Sequence, residues 1–192
     1  MKIPLYQIDA FTSRVFSGNP AAVCPLRNWL EDSLMQAIAQ ENNLSETAFF
    51  VPAKDGYHIR WFTPVAEVDL CGHATLASAF VIFKYLDTSK TQVTFASRSG
   101  KLTVSLENDL LSMDFPAKPP APCKAPVDLL DGLGKETEDV LASEDYFVIF
   151  SNEEGIRDLA PDMTKLKRAD LRGIIVTARG NEADFVSRFF AP

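Results

Sequence analysis

The sequence predicts an α+β protein in which a mixed, largely antiparallel sheet curls around one apolar helix. Three observations predict it. From Gly72 to about Leu86 the chain reads as a helix, yet Ala74, Leu76, Ala77, Ala79, Phe80, Val81, Ile82 and Phe83 are distributed all round it. A helix without a polar face has to be enclosed by protein. Short strand-like segments bounded by turn residues lie on both sides of it in the chain. Between Pro116 and Pro126 five of eleven residues are proline, which makes a stiff extended connection and not an element interior. The chain therefore divides into an N-terminal lobe at 1–115 with its central helix at 72–86, a linker at 116–126, and the start of a second lobe at 127–192.

The elements follow in order. Ile3 to Phe11 is mostly apolar and reads as a strand, Ser17-Gly18-Asn19-Pro20 as a turn, and Ala21 to Leu26 as a second strand. Asn28, with Glu31 three residues on, has the spacing of a capping box for a helix whose apolar face carries Leu34, Met35, Ile38 and Ala39. Thr47 to Val51 reads as a buried strand. Tyr57 to Phe62 alternates, so Tyr57, Ile59 and Trp61 share one face while His58 and Arg60 share a solvated one. Thr63 to Leu70 is a loop, with Glu67 and Asp69 on its surface. After the central helix come strands near Gln92–Ala96, Lys101–Leu106 and Leu110–Phe115. Beyond the linker, Val127–Leu133, Glu136–Ser143 and Asp162–Ala169 read as helices, and Asp145–Phe150, Gly173–Thr177 and Asp184–Phe190 as strands. This second segment has no long apolar helix of its own, so strands such as Gly173–Thr177 are expected to be left uncovered.

Composition narrows the function classes. Apolar residues make up 46% of 192, enough for a packed core. A formal charge of −7 argues against non-specific nucleic-acid binding, which needs a basic face. Cys24, Cys71 and Cys123 form no Cys-x-x-Cys pair, and only His58 and His73 can supply imidazoles; neither a disulfide framework nor a metal site is expected. The first ten residues lack the apolar core of a signal peptide. The longest apolar stretch, Ala74 to Leu86, is too short to span a bilayer and contains Lys84. A cytoplasmic protein with no membrane partner is the expectation.

Two short segments carry chemistry. Ser45-Glu46-Thr47-Ala48-Phe49-Phe50 puts an acid at the entrance of an apolar strand, where burial without a purpose is unfavourable. Glu46 is a candidate general acid/base, with Ser45 and Thr47 as orienting hydroxyls and Ser45 as a substrate-binding candidate. Cys71-Gly72-His73-Ala74-Thr75 opens the apolar helix. Its first-turn amides need a partner, and an anion is a natural one. Gly72 lets a ligand approach the backbone, and His73 can bind a carboxylate or ferry a proton. Cys71 reads either as a small buried residue or as a thiol activated by the helix start. No Gly-rich phosphate loop or dinucleotide fingerprint is present in the sequence, and no cofactor is expected.

Asp9-Ala10-Phe11-Thr12, Phe16-Ser17-Gly18-Asn19-Pro20-Ala21-Ala22-Val23, Ser45-Glu46-Thr47-Ala48-Phe49, Phe62-Thr63-Pro64, Cys71-Gly72-His73-Ala74-Thr75 and Ser187-Arg188-Phe189-Phe190-Ala191-Pro192 occur in that order. Together they resemble the PhzF family of phenazine-biosynthesis-like proteins. The resemblance implies a diaminopimelate-epimerase-like fold: two similar lobes, each a mixed sheet curled around a central helix, with the active site between them. It implies a cofactor-free isomerase, often a homodimer, acting on a small, cyclic carboxylated substrate. Glu46 would be the proton carrier, and Gly72 and His73 would hold the substrate. Family chains continue into an Asp-Pro-x-Thr-Gly motif that this sequence does not contain, so the second lobe is expected to be truncated. Two other readings stay open: an amino-acid racemase or epimerase that uses Cys71, and a non-catalytic interaction protein.

Overall fold

The computed structural model describes residues 2–115 and 117–192; Met1, and Pro116 at the head of the expected linker, lie outside the described residues. The chain forms two compact units, Met1–Pro116 and Ala117–Pro192.

The first unit contains strands β1 (Tyr6–Ala10), β2 (Asn19–Pro25), helix α1 (Asp32–Asn42), β3 (Glu46–Ala53), β4 (Gly56–Phe62), β5 (Glu67–Val68), helix α2 (Gly72–Val81), β6 (Gln92–Ser97), β7 (Gly100–Glu107) and β8 (Leu110–Asp114). A π-helical turn, Ile82–Leu86, extends α2. The strands form one mixed sheet in the order β1-β2-β3-β4-β6-β7-β8, with β5 beside β4. β2 and β3 are parallel, as are β4 and β6; the other pairs are antiparallel. Helix α2 touches β1, β2 and β3, and also β8 at the far end of the strand order. A sheet whose first and last strands both reach one helix is wrapped around it, as the apolar circumference of that helix requires.

Strand parity sorts the core into two layers. Ala21, Val23, Ala48, Phe50, Ile59, Trp61, Phe95, Leu102 and Val104 face inward onto Ala74, Ala77, Val81 and Ile82. Cys24, Phe49 and Phe62 face outward and are covered by Met35 and Ala39 of α1. Within α2 the hydroxyls of Thr75 and Ser78 donate to the carbonyls of Cys71 and Ala74 at 2.6 and 2.7 Å. These two hydroxyls are thus satisfied within the helix and can be buried.

Several local expectations are corrected. Helix α1 starts after Glu31, not at Asn28, and Glu31 makes no side-chain cap. The segment before it instead packs Leu30 on the outer core and sets Trp29 under the Arg60 guanidinium, 5.5 Å from the ring centre. Arg60 is not a solvated residue. Its Nε and Nη2 bond both oxygens of Glu67 at 2.6 and 2.8 Å, and its Nη1 bonds Asp32 at 2.8 Å. Glu67 is accordingly not on a loop surface but on β5, where Arg98 also reaches it at 2.8 Å. Asn19 and Pro20, expected in a turn, already pair with β1. The turn is completed by Gly18 at φ +74°, where an added Cβ would lie 2.1 Å from the Ala10 carbonyl oxygen.

The second unit contains β9 (Ala121–Pro122), α3 (Val127–Leu133), β10 (Asp139–Ala142), β11 (Tyr146–Ile149), α4 (Glu153–Arg157), α5 (Met163–Leu166), β12 (Ile174–Arg179) and β13 (Phe185–Phe190). The sheet order is β13-β12-β11-β10-β9, with only β11 and β12 parallel. Residues 139–142, expected to be helical, form β10 because both neighbouring strands satisfy their backbone. Tyr146, Val148, Ile174 and Val176 are covered by Leu129, Leu133, Ile156 and Leu166 from the three short helices. The buried face of Gly173–Thr177 is therefore covered, contrary to expectation. Gly132 permits the α3–α5 approach: a Cβ there would meet a Leu166 methyl at 2.5 Å. No helix among the described residues is long and apolar enough to cross a membrane.

Candidate functional site

Glu46 opens β3, and its parity with Ala48 and Phe50 turns its side chain toward α2. In the parallel β2–β3 ladder it lies beside Ala21, which is fully buried and too small to fill the space. His73 is the second residue of α2. Its Nε2 lies 3.2 Å from Glu46 Oε2. The segments that the sequence presents 27 positions apart thus meet at one point.

Cys71, the N-cap residue of α2, completes the cluster. Its Sγ lies 3.5 Å from His73 Nδ1, so the imidazole stands between thiol and carboxylate. The His73 tautomer with its proton on Nε2 offers a lone pair to the thiol and an N–H edge toward the carboxylate. The Nε2–Oε2 approach is nevertheless not aligned as a hydrogen bond. Three side-chain polar atoms among the described residues are buried without a hydrogen-bond partner, and two of them are Glu46 Oε2 and His73 Nε2. Such atoms are costly to leave unpaired, and here they are concentrated at one place.

The electrostatics follow from burial. The His73 imidazole is held below its ordinary value by desolvation, against the opposing pull of the Glu46 carboxylate and the Pro20 carbonyl; at neutral pH it is the uncharged ring. Burial, reinforced by the Glu46 charge, pushes the Cys71 thiol up to about 12. The helix start does not activate it, so Cys71 is a neutral S–H. Glu46 is the most accessible of the three, its side chain one-fifth exposed.

Gly72 lies beside Met113 and Phe115, yet an added Cβ would make only ordinary contacts with them at 3.6 and 3.5 Å. The protein itself does not require a glycine there. Ser45 is exposed at the bend before β3, and no hydrogen bond among the described residues ties it to the cluster. Thr47 faces the opposite side of the sheet, where its Oγ1 accepts from Asn42 Nδ2 at 3.1 Å; it does not orient Glu46. Two open surface hollows are present, one of about 510 Å³ around Asp9, Phe16 and Pro20 and one of about 450 Å³ around Phe147, Ile149 and Phe185. Neither is lined by Glu46, Gly72 or His73.

A mixed sheet wound about a buried helix, with an acid and a histidine meeting at the helix start, is a diaminopimelate-epimerase-like fold. A hydroxyproline epimerase from Agrobacterium vitis shares that fold, with a TM-score of 0.60 at 7% identity over 98% of this chain and 70% of that one. The chain belongs to the PhzC-PhzF family of phenazine biosynthesis-like proteins, which it matches over residues 8–192. It is 54% identical over its full length to an uncharacterized isomerase of Pseudomonas aeruginosa, spanning 74% of that protein. It also superposes with a TM-score of 0.94, at 45% identity, on a PhzF-family protein from Enterococcus faecalis, covering all of this chain and 74% of the other.

Proposed function

We propose that this chain carries the proton-transfer machinery of a cofactor-free isomerase acting on a small carboxylated, cyclic substrate. The observation that supports it most directly is the 3.2 Å approach of Glu46 to His73 at the first turn of α2. The relatives named as isomerases, matched over the whole chain, support the same class.

In this reading the substrate carboxylate rests on the first-turn amides of α2, which have no intrahelical partners. Glu46 removes a proton from one carbon, the electron pair shifts through the adjacent unsaturation, and the same carboxyl returns the proton to a second carbon. Neutral His73 flanks the Glu46 carboxylate at 3.2 Å, and the Cys71 thiol lies against the far side of the imidazole at 3.5 Å. The working protein is proposed to be a homodimer. The test is incorporation of solvent deuterium into a panel of small cyclic carboxylates, followed by NMR. Glu46→Gln is expected to lower the exchange rate by about 10²-fold or more with an unchanged circular dichroism spectrum. Equal rates in the two proteins would exclude the mechanism.

A racemase reading centred on Cys71 draws on the 3.5 Å contact between its Sγ and His73. The elevated thiol counts against it. Loss of exchange in Cys71→Ala, with exchange retained in Glu46→Gln, would favour it.

A further inference from the structure

We infer that Arg98 and Ser99, at the turn between β6 and β7, are positioning residues for the Glu46–His73 pair, because they clamp the short segment that delivers the start of α2. As a claim about proton transfer this rests on the isomerase reading; as a claim about the placement of the imidazole it does not. The segment is poorly fixed by its own backbone. β5 has two residues and pairs with β4 through Val68 opposite Trp61 and Glu67 opposite Phe62. Asp69 and Leu70 follow outside any strand or helix, and Cys71 is then the N-cap of α2, without a side-chain cap bond. Two residues further on, His73 Nε2 has to arrive 3.2 Å from Glu46 Oε2.

The β6–β7 turn supplies the fastening. Arg98 Nη2 lies 2.8 Å from Glu67 Oε2, an oxygen that Arg60 also bonds at 2.8 Å, and Arg98 Nη1 lies 3.5 Å from Asp69 Oδ1. The Ser99 hydroxyl donates to the Asp69 carbonyl at 2.9 Å, two residues before the N-cap. The turn itself is braced, since Ser97 Oγ accepts from the Ser99 N–H at 3.2 Å and donates to the Gly100 carbonyl at 2.8 Å. The side chains of Arg98 and Asp69 are 55% and 71% exposed, and ion pairs so open to water add little to stability. Placement is a different matter. Reacting groups have to be held to within about 0.5 Å, and a misplacement of about 1 Å can cost about 10²-fold in rate. Loss of the clamp therefore has a particular signature: a clear change at the helix start with almost none in global stability.

The test reads the imidazole directly. His58 and His73 are the two histidines of the chain, so the ring signals followed by NMR against pH are assigned with His58→Gln. Glu46 faces His73 from β3, the Cys71 thiol from the N-cap and the Pro20 carbonyl from β2, and burial holds the ring's titration midpoint low. In Arg98→Gln and in Ser99→Ala the loosened helix start admits water. The midpoint is expected to rise in both toward the ordinary histidine value, about 6.5, while the urea midpoint stays at that of wild type. Arg98→Lys keeps the charge without the planar fork and is expected to fall between wild type and Arg98→Gln. Deuterium exchange into the cyclic carboxylates is expected to fall about tenfold or more in Arg98→Gln. An unmoved His73 midpoint in both variants overturns the inference. So does a rise in Arg98→Gln that the uncharged change Ser99→Ala does not reproduce, which is a through-space charge effect. A marked fall in the urea midpoint of both also overturns it, since the clamp is then a general support of the fold. Absence of exchange in the wild-type chain counts against the isomerase reading alone, and the imidazole still decides this inference.

Discussion

The two units solve the same packing problem differently. In the first, both ends of the sheet reach α2, and the inner face closes on a helix that has to be buried on all sides. In the second, three short helices cover one face of the sheet, while Phe185 and Phe189 on the edge strand remain 66% and 52% exposed. The placement of polar groups follows this difference. Thr47, His73, Thr75 and Ser78, the buried polar residues among those described, all belong to the first unit. Closing a sheet around a helix leaves the helix start enclosed, and the polar cluster there is placed in a setting that shifts its chemistry.

Truncating the wrapped core tests this contrast most severely. Phe95→Ala, at a fully buried position facing α2, is expected to cost about 3–5 kcal/mol, read from the urea midpoint. A loss below about 1 kcal/mol would mean that the first core is not tightly closed.

The Arg60 network comes next. Arg60→Ala is expected to cost about 1–3 kcal/mol, because the largely buried Glu67 loses its two-bond partner and keeps only the more exposed Arg98. The Arg60 guanidinium holds the Glu67 carboxyl below the usual carboxylate range. Its contribution is therefore complete above the ordinary glutamate value, about 4.3, and is lost as pH falls through the lowered value. Glu67→Gln is expected to flatten the acid limb of the stability curve; an unaltered limb would remove the network from the account.

Gly72→Ala separates fold from function. The space beside Gly72 accepts a methyl group at 3.5–3.6 Å, so thermal stability is expected to stay within about 1 kcal/mol of wild type. Under the proposed reading deuterium exchange is expected to fall, because a carboxylate seated on the first-turn amides would share the space beside Met113 and Phe115 with the added methyl group. Retained exchange would move the anion seat elsewhere. The smallest effect belongs to the second unit: Phe185→Ala is expected to change stability by no more than about 0.5 kcal/mol, since that ring is mainly in solvent.

Much of this was legible in the sequence, and the reason is periodicity. The all-apolar segment after Gly72 announced a wrapped helix, and alternation at Tyr57–Phe62 located an inward face that includes Ile59 and Trp61. Glu46 and the Gly72-His73 pair were visible one at a time, as an acid in an apolar run and a histidine at a helix start. Their separation was not visible, because it depends on β3 lying parallel to β2 above the helix. Partners chosen at long range were also out of reach. Arg60 takes Asp32 from 28 positions earlier and Glu67 from 7 later, and residues 139–142 become a strand through pairing that local propensity does not record.

Helix α2 leaves its barrel-like sleeve by a widened turn, with the Asp87 N–H reaching back five residues to the Ile82 carbonyl at 2.7 Å. Within that turn Tyr85 stacks on Tyr6 of the first strand, ring centres 5.2 Å apart, and meets Phe80 edge-on at 6.2 Å. One residue of helix corresponds to about 100° of rotation. Deleting a single position between 82 and 86 would restore a regular spiral but swing that tyrosine away from both aromatic neighbours. The rod is thus locked by its exit, and its angular setting, which aims the histidine at the glutamate, is held from the end farthest from the chemistry.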